Sequence, residues 1–346
     1  MDKIRVGLVG FGSSAKTFHL PFLQALPQSY EVTAVVDRKG EDSRKLLPAA
    51  RIYTTWQELA RASEVDLAVV CLPNALHAEV TCGLLRAGKN VVVEKPMANT
   101  PAEALQMQNA ARASGKVLTV FHSRRLDGDF LTVQELLSSG RLGRLVRAEI
   151  RYDRWSNVLR KKAWKETGRE GDTLLEDLGS HLIDQALNLW GRPEAISCRL
   201  GIQRDGSRAV DAFRVSMSYP GLWVDLEASM IVRASPFHWA LHGTQGTFIK
   251  KGMDPQEARL LNGELPTQEG FGRDDKENFA VLSLSDGTIE RLPTLEGKYK
   301  DFYGTLPAAL QPNAANPFSS QAGKEVVDLL DLCRKSAKRE SRFLKV

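Results

Sequence analysis

The chain has 346 residues, 42% of them hydrophobic and 26% charged, with a net charge of +5. That length allows two domains and a core that needs no staples, burying roughly 75% of the unfolded surface. No stretch reaches the ~20 apolar residues of a membrane span, and Met-Asp-Lys leads into a strand pattern with no signal peptide. Basic residues cluster at Arg160-Lys161-Lys162 and from Lys335 to Lys345, but form neither a dense stripe nor a known module. Neither nucleic acid nor membrane is therefore expected as a partner. The four cysteines (Cys71, Cys82, Cys198 and Cys333) form no Cys-x-x-Cys pair. They read as buried free thiols of a reducing compartment, which points to the cytoplasm.

Short apolar runs open the chain at 4–10, 32–37, 67–73, 90–96 and 117–122, separated by helix-length segments. That alternation predicts βαβ units and a doubly wound parallel sheet. Thr100-Pro101-Ala102-Glu103 starts a helix with a capping box and proline at its first position. After residue 123 the texture changes. Segments 145–154, 212–219 and 222–233 partly alternate polar with apolar residues, and turns such as Tyr219-Pro220-Gly221 interrupt them. They predict an open, mostly antiparallel sheet with one covered face. One helix is expected at 174–189 and a last one after Ser319-Ser320, giving an α+β second domain. The expected division is 1–123 for dinucleotide binding and 124–346 for substrate binding and oligomerisation.

The first strand runs into Gly10-Phe11-Gly12-Ser13-Ser14-Ala15, a Gly-x-Gly-x-x-Gly/Ala loop in strand-to-helix context. Gly10 makes the tight turn and Gly12 lets backbone amides approach a pyrophosphate. Ala15 allows close helix–strand packing. Asp37 ends the second strand where a ribose-binding acid is expected, which favours NAD. Arg38 and Lys39 follow it and favour NADP; solvent exposure explains them equally well. Asn90-Val91-Val92-Val93 reads as a strand buried on both faces, ending abruptly in Glu94-Lys95-Pro96. Ligands of doubly wound sheets bind beyond the carboxyl ends of strands, so Lys95 is expected at the cofactor. Its bond to Pro96 is expected to be cis.

In the segment 171–184, helical spacing places Asp177 and His181 on one face. A carboxylate that orients an imidazole suits proton transfer from a hydroxyl. A surface pair is the plain alternative. No third ligand accompanies the pair, so no metal is expected. His238 and His242 lie on a strand pattern and read as structural. His19 reads as packing for the first helix, and His77 is expected to face the cofactor.

Together these residues resemble the Gfo/Idh/MocA family, named for glucose–fructose oxidoreductase and inositol dehydrogenase. The resemblance rests on Gly10–Ala15, Leu72-Pro73-Asn74 with His77, Glu94-Lys95-Pro96, and Asp177-Leu178-Gly179-Ser180-His181 with Asp184. It implies a Rossmann domain, a second domain on an open antiparallel sheet, NAD or NADP as cofactor, and dimers or tetramers. It also implies a catalytic set that falls here on Lys95, Asp177 and His181. His122-Ser123-Arg124-Arg125-Leu126-Asp127 is similar to the NADP-linked scyllo-inositol dehydrogenase branch. That branch usually has Asn and Trp where this chain has Ser123 and Leu126, and a non-acidic residue at the place of Asp37.

The resulting expectation is an NAD(P)-dependent oxidoreductase acting on a secondary alcohol of a polyol, cyclitol or sugar. His181 is the proton-transfer group, Asp177 orients it, and Lys95 holds the reacting oxygen. His122, Arg124 and Trp164 are candidate substrate contacts. The alternative for Arg124, Arg125, Asp127 and Asp129 is an inter-domain salt-bridge network. A non-catalytic dinucleotide-binding regulator and a redox-neutral, cofactor-recycling relative are the rival functions.

Overall fold

Leu67–Val70 and Val91–Val93 are buried on both faces, because helices cover the sheet they belong to. Each fully buried valine contributes about 1.5–3 kcal/mol relative to exposure. The computed structural model describes residues 2–159, 168–169, 171–311 and 314–346. Among them the chain forms two compact units.

The first unit comprises Met1–Ser123, Gln256–Phe271 and Lys298–Val327. Its strands are β1 (Ile4–Val9), β2 (Tyr30–Val36), β3 (Arg51–Tyr53), β4 (Leu67–Val70), β5 (Asn90–Val93) and β6 (Leu118–Val120). They form one parallel sheet in the order β3-β2-β1-β4-β5-β6. The order reverses beside β1, which is where a doubly wound sheet opens its ligand crevice. The helix Pro101–Ser114 begins with the expected Thr100–Glu103 capping box. The Lys95-Pro96 bond is cis. Two stretches from the last third of the chain belong to this unit, so it is not one contiguous span.

The second unit comprises Arg124–Pro255, Gly272–Gly297 and Asp328–Val346. Its strands are β7 (Leu145–Arg151), β8 (Ala195–Gly201), β9 (Ala212–Tyr219), β10 (Leu222–Ser229), β11 (Trp239–Gly243), β12 (Gly246–Lys250), β13 (Ala280–Leu284), β14 (Ile289–Leu292) and β15 (Leu344–Lys345). They form a nine-stranded sheet in the order β14-β13-β12-β11-β7-β10-β9-β8-β15. Every pair is antiparallel except β7 with β10. Burial alternates along β10: Val224 and Leu226 are covered, while Trp223 is 71% exposed. Asp225 and Glu227 share the face of Trp223 and pair with Arg147, Arg151 and Arg214 of the neighbouring strands.

The helix expected at 174–189 differs in one respect. Its first turn, Leu175–Gly179, is π-helical, and the α-helix proper is Ser180–Trp190. The helix after the glycine loop does the same, with a π turn at Ala15–His19 before Leu20–Gln24. Wide turns of this kind recur at functional sites.

Candidate cofactor and catalytic site

In the first unit the glycine loop lies against the end of β4. Gly10 has φ +92°, and a Cβ there would sit 2.7 Å from the Cys71 carbonyl oxygen. The turn therefore needs glycine for both conformation and space. A Cβ on Gly12 would meet nothing within 4 Å, and Gly12 and Ser13 are exposed. That bare backbone fits the close approach of a pyrophosphate. Ala15 is fully buried, as close helix–strand packing requires.

Ser14 turns away from solvent. Its hydroxyl donates to Glu94 Oε1, and the same oxygen lies 3.1 Å from His19 Nε2. The second Glu94 oxygen accepts the Lys95 N–H at 3.1 Å. Burial alone would raise the Glu94 pKa. The hydrogen bond and charge of His19, the Ser14 hydroxyl and the charge of Lys95 outweigh it and bring the pKa down to about 2. His19 is wholly buried, and its Nδ1 lies 2.6 Å from the Tyr303 hydroxyl. The expected packing role for His19 is thus incomplete: the ring also joins a polar chain from Ser14 to Tyr303. A histidine a few residues after the glycine loop was the available signal. Tyr303 lies 284 positions away and left none.

Asp37 does not offer a free carboxylate. One oxygen accepts the Lys39 N–H at 3.1 Å and the other the Ser43 hydroxyl at 2.9 Å. Partial burial raises its pKa, but hydrogen bonds from Gly40, Ser43 and Lys39 pull it below the ordinary value. Arg38 and Lys39 are exposed. Leu72 and Asn74 are half-buried and Pro73 is exposed at the end of β4. His77 departs from expectation. It is wholly buried, with Nδ1 2.9 Å from the Pro96 carbonyl oxygen and Nε2 2.9 Å from that of Leu72. It clamps two loops together instead of presenting its ring to a ligand. Burial lowers its pKa against the opposing pull of those carbonyls. Lys95 is half-buried and His122 is 1% exposed.

In the second unit Asp177 lies in the π turn and His181 in the first turn of Ser180–Trp190. Asp177 is half-buried and His181 is 8% exposed. Buried ion pairs fix this helix on two sides. Arg334 binds Glu176 at 2.9 Å, and Arg125 holds Asp184 through two contacts at 2.8 and 2.5 Å. Gln185 adds a hydrogen bond to the Arg124 carbonyl. Arg124 itself is 7% exposed, donates to Asp127 and to the Tyr152 hydroxyl, and stacks over the Tyr152 ring. These partners lie inside the second unit, where Arg124 and Arg125 help to build the frame around the helix. Trp164 lies outside the described residues.

Residues 4–122 match the family model of the oxidoreductase family with NAD-binding Rossmann fold, and 134–346 match its C-terminal alpha/beta domain. The chain belongs to the Gfo/Idh/MocA oxidoreductase family. Its cofactor is therefore NAD or NADP, and the bare Gly10–Ala15 backbone suits either. Among Gfo/Idh/MocA relatives, scyllo-inositol 2-dehydrogenase (NADP(+)) IolW of Bacillus subtilis is 32% identical, with 99% of this chain and 96% of that protein covered. The uncharacterized oxidoreductase YdgJ of Escherichia coli is 36% identical, with 98% of each covered. The solved structure of yvaA from Bacillus subtilis superposes with a TM-score of 0.95 at 32% identity, covering 100% of this chain and 99% of that one.

Proposed function

We propose that this chain is an NAD(P)-dependent dehydrogenase acting on a secondary alcohol of a polyol, cyclitol or sugar. The observation that carries the reading is the Glu94 carboxylate. It joins the glycine loop, through Ser14, to the peptide of Lys95. A lysine tied to a dinucleotide loop in this way suits chemistry at the cofactor. Names among the relatives support the substrate class, including the inositol dehydrogenase above and the D-glucoside 3-dehydrogenase of Escherichia coli, 30% identical over 55% of this chain.

Bound nicotinamide supplies the hydride acceptor. Lys95 holds the reacting oxygen and stabilises the negative charge that grows on it. His181 takes the hydroxyl proton as the C–H bond breaks and the carbonyl forms. Asp177 holds the imidazole in orientation and stabilises it once protonated. The reverse direction returns the proton from His181. A second copy of the chain is the proposed partner, in a homodimer or homotetramer, and the free thiols suit the cytoplasm.

A panel of polyols, cyclitols and sugars, run with NAD and with NADP while reduced cofactor is followed, tests the reading. Turnover on a secondary alcohol is the expected result. Cofactor binding without turnover on any of them would favour the regulatory rival. Tightly retained cofactor with substrate conversion but no net reduction would favour the recycling one.

A further inference from the structure

We propose that His19 is a positioning residue: by holding Glu94 it fixes the glycine loop and the Lys95 peptide as one piece. The proposal rests on dinucleotide binding at that loop. It deepens the reading of the same site by naming what keeps the site in register.

The geometry carries the argument. Ser14 and His19 both reach the same Glu94 oxygen. They are five residues apart. In a regular α-helix, at about 100° per residue, they would point about 140° away from each other. The π turn at Ala15–His19 removes that offset. The widened turn therefore has a purpose readable in its hydrogen bonds. The His19 ring is held from behind by the Tyr303 hydroxyl and lies 4.3 Å, centroid to centroid, from Phe121. Tyr303 is itself fixed, since Tyr30 donates to its carbonyl at 2.7 Å. No water or solvent ion is needed to set the carboxylate in place, because His19 and Ser14 bind one oxygen and the Lys95 N–H binds the other.

The titratable and charged groups around Glu94 are His19, Lys95, Cys71, Tyr303 and His77. Burial keeps the Cys71 thiol and Tyr303 hydroxyl protonated, well above their ordinary values. Of the groups that lower the Glu94 pKa, His19 acts most strongly. Without it, the balance shifts towards burial, which raises the Glu94 pKa. A protonated Glu94 accepts the Ser14 and Lys95 hydrogen bonds weakly, so the loop loosens.

The test needs no substrate. NADH and NADPH are titrated by fluorescence into the full chain between about pH 5 and pH 8 for wild type, His19→Phe, Tyr303→Phe and Glu94→Gln. His19→Phe keeps an aromatic ring and loses both nitrogens. Its affinity should fall by about tenfold or more towards the acid end, beyond any change in wild type, with a new single-proton midpoint. Glu94→Gln should bind weakly across the range without that midpoint. Tyr303→Phe should shift in the direction of His19→Phe, and less. A His19→Phe curve parallel to wild type, or a Glu94→Gln affinity equal to wild type, overturns the proposal. Should His19→Phe fail to fold, the Glu94→Gln and Tyr303→Phe titrations decide alone. Wild-type protein that binds neither cofactor would instead defeat the dinucleotide reading itself.

Discussion

The Asp37 carboxylate accepts the Ser43 hydroxyl at 2.9 Å, inside its own loop. With Lys39 N–H on the other oxygen, the acid organises residues 39–43 before any ribose arrives. Arg38 remains exposed beside it. Arg38→Ala should therefore weaken NADP by about tenfold or more, the loss of a charge-assisted hydrogen bond worth roughly 1.5–3 kcal/mol, and change NAD little. Asp37→Ser should weaken both cofactors by disordering the loop. Specificity constants for NAD and NADP check this. A clean switch to NADP in Asp37→Ser would mean that the carboxylate reads the ribose after all.

The roles proposed for Lys95, Asp177 and His181 predict an ordered mutant series. His181→Ala and Lys95→Ala should lower kcat by about 10²–10⁴-fold, with cofactor affinity largely kept. Asp177→Asn should cost less, because it perturbs the orientation of the base without removing it. Steady-state kinetics beside cofactor titrations separate the two effects. Near-normal turnover in His181→Ala would falsify the assignment of the base.

Much of the first unit was legible because β-branched runs such as Val91–Val93 are read the same way by any doubly wound sheet. The edge strand Arg51–Tyr53 was not: three residues of mixed exposure carry no period. The return of residues 256–271 and 298–327 to the first unit was equally hidden, since that choice is made by packing and not by local pattern. At the site, Gly10, Ser14, Glu94 and Lys95 were legible as motif positions, but their mutual hydrogen bonds were not. His77 was read as ligand-facing because a sequence records side-chain chemistry without burial. The alternation in β10 marked two faces without saying that Leu226 lies on the covered one.

Acid should reveal Glu94. Its folded pKa of about 2 lies below the ordinary 4.5. The stability it contributes is therefore present above about pH 4.5 and is lost as pH falls towards 2. At neutral pH the contribution has a ceiling of about 3 kcal/mol. Urea unfolding of wild type and Glu94→Gln should differ most above about pH 5 and converge on acidification. A gap that stays constant down to pH ~3 would contradict the linkage.

Gly10→Ala combines a positive φ with a contact against the Cys71 carbonyl oxygen. It should destabilise the protein by about 1–3 kcal/mol and weaken cofactor binding. Gly12→Ala, with open space around it, should spare stability and still weaken the cofactor. Thermal melts with and without NADH distinguish the pair.

Trp223 stands exposed on the open face of the nine-stranded sheet, while Leu226 is fully buried on the opposite face and Ile231, beyond the end of β10, is half-buried. If the chain self-associates there, Trp223→Glu should lower the mass in solution to that of one chain, and raised salt should weaken the wild-type assembly. Light scattering at micromolar concentration reads both. A wild-type mass of one chain rejects the assembly.

The π turn at Ala15–His19 also acts as an angular spacer. A π turn is an α-helix carrying one residue too many. Deleting one residue between Ser14 and His19 would restore ordinary winding and leave the two four apart, about 40° from each other around the helix axis. Ser14 and His19 could then still share a carboxylate. A single-residue deletion at Lys16, Thr17 or Phe18 should therefore disturb the carboxylate's hydrogen bonds less than the loss of the Ser14 or His19 side chain.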